Sequence, residues 1–159
     1  MEITDIYNLL KEVFDSGIGE LRTDIPVEPF IIIDADKINA VSLFLRDEES
    51  LQFDSLSCLS SVDLDKDNLA VVYHLYSFAL NHKLKLKVIV PKENPVVKTV
   101  SDVWATADWH EREAYDMMGL IFEGHPDLRR ILCPEDWEGY PLRKDYKVQE
   151  FYQGMKVPY

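Results

Sequence analysis

Residues 69–91 read "LAVVYHLYSFALNHKLKLKVIVP", two apolar runs rich in β-branched and aromatic residues on either side of "NHK" at 81–83. Such runs around a short polar break make a β-hairpin the natural reading. In the second arm Leu84, Leu86 and Val88 alternate with Lys83, Lys85 and Lys87, so one face points to a core and the other is a lysine stripe. The stripe reads as solvated edge protection in preference to a docking surface. A two-stranded hairpin is marginal alone, and two further strands are predicted beside it. "PFIII" at 29–33 is a short β-branched run that reads as a buried strand, and "LQFDSLSCLSSV" at 51–62 alternates well enough for a half-buried one.

Helices are predicted around these strands. Near the start, Ile3, Ile6, Tyr7, Leu10, Val13 and Phe14 fall at helical spacing, with a stop near Gly17 and Gly19. "DKINAVSLFLRDEE" follows Asp34, a candidate cap, and points Ile38, Val41, Leu45 and Phe44 inward. "VVKTVSDVW" reads as the beginning of another helical stretch. In "DWHEREAYDMM", residues 108–118, Asp108 stands as N-cap with Glu111 completing a capping-box-like pair, and Gly119 supplies the stop. "GHPDLRRIL", 124–132, offers a further start with Pro126 at the first helical position and Asp127 at the positive end of the dipole. The order predicts an α+β fold: a mostly antiparallel four-stranded sheet with helices packed on it, followed by an irregular C-terminal extension. Residues 1–146 are expected to form one domain and 147–159 an extended tail, whose Phe151, Tyr152, Met155 and Tyr159 need a surface to lie on.

The bulk properties exclude several classes. A 159-residue chain with 47% hydrophobic and 29% charged residues has an ordinary globular balance. A net charge of −12 argues against nucleic acid, whose phosphate backbone demands clustered Lys and Arg. No apolar run approaches the ~20 residues of a membrane span, and the N-terminus carries acids where a signal peptide carries bases. The expectation is a cytoplasmic chain that meets a membrane only through a partner. Cys58 and Cys133 stand far apart with no CxxC, so the chain is expected to hold neither an iron–sulfur cluster nor structural zinc, and both cysteines read as reduced.

The charged cluster at 108–130 admits three chemistries. His110-Glu111 begins like the HExxH of a metalloprotease, but Ala114 stands where the second histidine belongs, and His125 alone is a thin replacement. Glu113 and Asp116 share a helical face and could serve as an acid–base pair, yet no serine, cysteine or lysine nucleophile is embedded among them. The same carboxylates can instead pair with Arg112, Arg129 and Arg130, whose planar forks suit helix-locking networks. Trp109, Tyr115, Met117, Met118, Trp137, Tyr140 and Tyr146 lie among these charges and are the residue types enriched at protein interfaces.

"EREAYDMMGLIFEGHPDLRRIL" followed by "PEDWEGYPLRKDY" resembles the signature of the 30-kilodalton subunit of respiratory complex I. Glu111, Arg112, Glu113, Asp116, His125, Arg129 and the pair Ile131-Leu132 stand at that family's spacing, and the resemblance runs from about Val103 to Tyr146. It implies a peripheral subunit with no cofactor of its own, lying against the large quinone-site subunit and beside the one that carries the last iron–sulfur cluster. FMN and the clusters would sit in partner chains. The assembly would oxidise NADH, reduce quinone and translocate ions, on the cytoplasmic side of the inner membrane. Signature residues expected at interfaces are Glu111, Arg112, Glu113, Asp116, His125, Asp127, Arg129, Arg130, Arg143 and Asp145, with catalytic, cofactor and metal roles expected for none. The equivalent subunit of a membrane-bound hydrogenase or plastid-type complex is the related alternative. A free-standing acid–base enzyme using Glu113 and Asp116 is the alternative from another class.

Overall fold

A computed structural model describes residues 1–14, 16–24 and 28–157. In chain order its elements are α1 (Ile3–Val13), β1 (Ile18–Arg22), β2 (Phe30–Ile33), α2 (Ile38–Asp47), β3 (Ser55–Asp63), β4 (Asn68–Ser77) and β5 (His82–Pro91). They are followed by β6 (Val96–Lys98), α3 (Ala107–Met118), β7 (Ile121–Glu123), β8 (Phe151–Tyr152) and β9 (Met155–Lys156).

The hairpin forms as its alternation demands. β4 and β5 pair antiparallel, with Leu69 opposite Val90, Val71 opposite Val88, Tyr73 opposite Leu86 and Leu75 opposite Leu84. All eight side chains are buried. Asn81 turns the chain at φ 51°, a left-handed conformation Asn tolerates.

The sheet has five strands in the order β1-β2-β5-β4-β3 and is mixed, which corrects the four-stranded, mostly antiparallel expectation. β2 runs parallel to β5 through the register Ile31 opposite Leu86. The fifth strand, β1, is "IGELR", too short, charged and glycine-bearing to announce itself. Gly19 is there because a Cβ would lie 3.1 Å from the Ile32 side chain on β2. β5 is central, not an edge, so its lysine stripe is not edge protection. The true edges are capped by helices. The Tyr7 hydroxyl on α1 donates to the Gly19 carbonyl at 3.1 Å, and the Lys11 ammonium donates to that of Ile18. On β3, His110 Nδ1 of α3 accepts the Leu59 N–H at 3.0 Å, and just before the strand the Phe53 carbonyl accepts from Trp104 Nε1 at 3.0 Å. Such covering blocks pairing with stray strands.

α1 and α2 close one face of the sheet. Ile6 and Leu10, then Ile38, Val41 and Leu45, are buried against Ile31, Ile33, Leu86 and Val88, while Ile3, Tyr7, Phe14 and Phe44 pack at the margin. Val13, expected inward, is 48% exposed. α2 starts later than the Asp34 cap predicts: Asp34 instead accepts the Lys37 N–H at 3.0 Å through its carbonyl, making a turn before the helix. "VVKTVSDVW" is not helical. Val96–Lys98 is β6, paired parallel to β7, and a turn follows. "GHPDLRRIL" forms no helix either, because Asp116 takes up its backbone N–H groups in an irregular loop. The tail carries the two-residue pair β8–β9, and Tyr159 lies outside the described residues.

Candidate functional site

The site is built on α3. The helix begins two residues earlier than the sequence suggests, with Thr106 in the N-cap position and Asp108 inside the first turn. The expected capping box is therefore absent, and Glu111 turns inward. Gly119 ends the helix at φ 72°. Any side chain there would also strike the Tyr140 ring, 2.6 Å from an ideal Cβ.

Asp116 is fully buried. One carboxylate oxygen accepts backbone N–H groups from Ile131, Leu132 and Cys133 at 3.0, 2.6 and 2.9 Å. The other takes the Arg130 guanidinium at 2.9 Å. Burial works to raise this carboxyl, but the N–H groups of Cys133, Leu132 and Ile131 with Arg130 override it and hold it below the ordinary carboxylate range. Arg130 also donates to the carbonyls of Trp137 and Gly139 at 3.1 and 3.0 Å. One carboxylate and one guanidinium thus gather 130–139 onto the C-terminal half of α3. Arg143 continues the clamp, donating to the Met118 carbonyl at 2.6 Å while its guanidinium lies 4.6 Å from the Tyr140 ring centre. Asp63, at the end of β3, accepts the Lys144 N–H at 2.8 Å and pairs with Lys92 at 2.8 Å.

Glu111 is equally buried but differently served. It accepts the Thr99 hydroxyl and the Val100 N–H, the latter at 2.8 Å. Burial pushes its carboxyl up to about 7; the Thr99 and Val100 bonds oppose this, and Asp102 and Asp108 add to it. His125 lies beside it, its Nε2 at 3.9 Å from both the Glu111 and Asp108 carboxylates. The Asp127 N–H points at His125 Nδ1 at 3.0 Å, which leaves the Nε2 proton to be donated to the Asp108 carbonyl at 3.2 Å.

The other signature residues divide. Arg112 is buried, 3.7 Å from Asp108 and 4.7 Å from the centre of the exposed Trp109 ring. Arg129 is exposed and, among the described residues, pairs only with Asp127 at 2.9 Å. The arginine that holds Asp116 is Arg130. Glu113 and Asp145 face solvent. Glu113 and Asp116 therefore do not form the pair an acid–base enzyme needs: one is in water and the other is saturated with donors. His110 serves the β3 edge and His125 the 124–127 turn. Among the described residues no group of three His, Cys, Asp or Glu side chains is placed for a metal. Thr99, Asp63 and Lys144 had no sequence signal, because their partners lie far along the chain.

Outward from the clamp, Leu132, Leu142, Val148, Phe151 and Met155 are each more than half exposed. Tyr152 and Gln153 tie the tail back to Asp136 at 2.9 and 3.2 Å. The clamp presents these apolar side chains.

Comparison with known proteins gives one family. Residues 31–152 match the model of "Respiratory-chain NADH dehydrogenase, 30 Kd subunit". The C subunit of the NADH-quinone oxidoreductase of Chloroherpeton thalassium is 52% identical over 96% of the chain, which spans 64% of that relative's length. Its counterpart in Chlorobium phaeobacteroides is 48% identical over 96% of the chain and 93% of its own. Among solved structures, the trypsin-resistant fragment of Nqo5 superposes with a TM-score of 0.61 at 27% identity, covering 77% of this chain and 98% of the fragment.

Proposed function

The chain belongs to the respiratory-chain NADH dehydrogenase 30 Kd subunit family, and from that premise we propose that it is a docking subunit of an NADH:quinone oxidoreductase, with no cofactor and no catalytic residue of its own. The Asp116–Arg130 hub carries this reading: two fully engaged charges shape an irregular segment whose apolar side chains are left in water. Exposed apolar residues gathered on one ordered segment suit a permanent interface. The partners proposed are the large quinone-site subunit and the cluster-bearing subunit beside it. FMN and clusters belong to partner chains, and ion translocation belongs to the assembly. The unit that docks is residues 1–146, with 147–159 as an arm. No helix among the described residues is long and apolar enough to cross a membrane; the attachment proposed is peripheral, on the cytoplasmic side.

The test is affinity purification of the tagged chain from its own cells. Recovery of an NADH-oxidising, quinone-reducing complex is expected, and Asp116→Ala should reduce the amount of complex far more than turnover per complex. Full assembly with collapsed turnover would argue for catalysis. A hydrogenase or another donor module in place of the NADH-oxidising one would contradict the assigned assembly.

A further inference from the structure

One face of the sheet is closed by α1 and α2, and the opposite face is partly exposed among the described residues. On that side, Phe30, Val72 and Tyr76 are half-exposed, Ile89 is 40% exposed, and at the hairpin tip Phe78 is 72% exposed and stacks edge-on against Tyr76 at 5.0 Å. The same face holds Lys83, Lys85 and Lys87 in a row beside His74, on a chain whose net charge is −12. Glu28 reaches Lys83 and Lys85, the latter at 3.4 Å, and Glu2 lines the rim of a cleft of about 500 Å³ at that end. Lys87 lies 5.1 Å from the Phe30 ring centre and has no carboxylate within 4 Å among the described residues. A row of cations set among half-exposed aromatics, on an otherwise acidic protein, is complementary to an acidic and apolar strip. We propose that this face docks an acidic segment of a neighbouring subunit, through a second interface separate from the C-terminal clamp. The proposal rests on the assembly reading above.

Zero-length carbodiimide coupling, which joins only lysines and carboxylates already in contact, tests it on the affinity-purified complex and on the isolated full chain. The expected product in the complex joins Lys83 or Lys87 to an Asp or Glu of another subunit. Both lysines should also acetylate about tenfold more slowly in the complex than in the isolated chain, with exposed Lys66 as the unchanged control. The double variant K83E/K87E, checked for native unfolding behaviour, should lower assembled complex about tenfold or more, because like charges face each other. K83Q/K87Q should lie between it and wild type. Coupling to Glu28 alone, or equal acetylation in both samples, overturns the proposal. Protection without a partner carboxylate overturns the acidic occupant. Recovery of partners with unprotected lysines defeats this inference alone, whereas recovery of no partner defeats the assembly reading as well.

Discussion

Two carboxylates on α3, Glu111 and Asp116, are both wholly removed from water, yet their surroundings push them in opposite directions. Asp116 meets three backbone N–H groups and a guanidinium, donors that favour the ionised form. Glu111 meets one hydroxyl and one N–H, with Asp102 and Asp108 nearby, and its carboxyl rises to about 7. Burial alone therefore does not define a charge's role; the count of donors does. Asp116 organises the segment that follows the helix, while Glu111 joins the helix to the strand and turn that precede it. Asp116 and Arg130 thereby hold residues 130–139, which carry no helix or strand, against α3.

The largest effect is expected at the better-served site. Asp116→Ala strands three N–H groups and leaves Arg130 with carbonyl partners only; breaking one side of such a buried pair costs about 3–5 kcal/mol, read as a fall in the urea midpoint at constant slope. Arg130→Ala should cost about 1.5–3 kcal/mol, the range for hydrogen bonds to charged groups, since the three N–H groups still serve Asp116. Loss at Arg129 comparable to that at Arg130 would break the comparison.

The pH dependence sharpens it further. Glu111 has its folded value raised to about 7 from 4.5. Its contribution is therefore fully present below pH 4.5, declines as pH rises toward about 7, and is constant above that. The swing is on the order of 3 kcal/mol. Glu111→Gln should flatten this window and leave the protein at pH 8 as stable as wild type or more so. Asp116 acts in the other window: its folded value is lowered from 3.8, so its stabilisation is present above pH 3.8 and is lost as pH falls further. Chemical denaturation from pH 3 to 8 separates the two. The smallest effect belongs to Glu113, exposed and unpaired among the described residues; Glu113→Gln should change stability by less than about 0.5 kcal/mol.

What the sequence revealed follows the same division. α1, α2 and the β4–β5 hairpin were legible because periodicity is local, and Leu84, Leu86 and Val88 announce their face directly. β1 was hidden because Gly19 serves a neighbour strand, not its own. Pro126 and Asp127 imitate a helix start. The donors that prevent the helix answer to Asp116, a partner that no local window contains. The signature residues could be named from the sequence, but their pairing could not: Arg130, not Arg129, holds the buried acid, and Glu111 serves Thr99, not a cap.

Amide hydrogen exchange at Ile131, Leu132 and Cys133 tests the central claim most directly. The account predicts slow exchange at these three amides in wild type, despite the exposed Leu132 side chain. In Asp116→Ala they should exchange fast while the Val71 and Val88 amides of the hairpin stay protected. Equal protection of the three amides with and without the Asp116 carboxylate would contradict it.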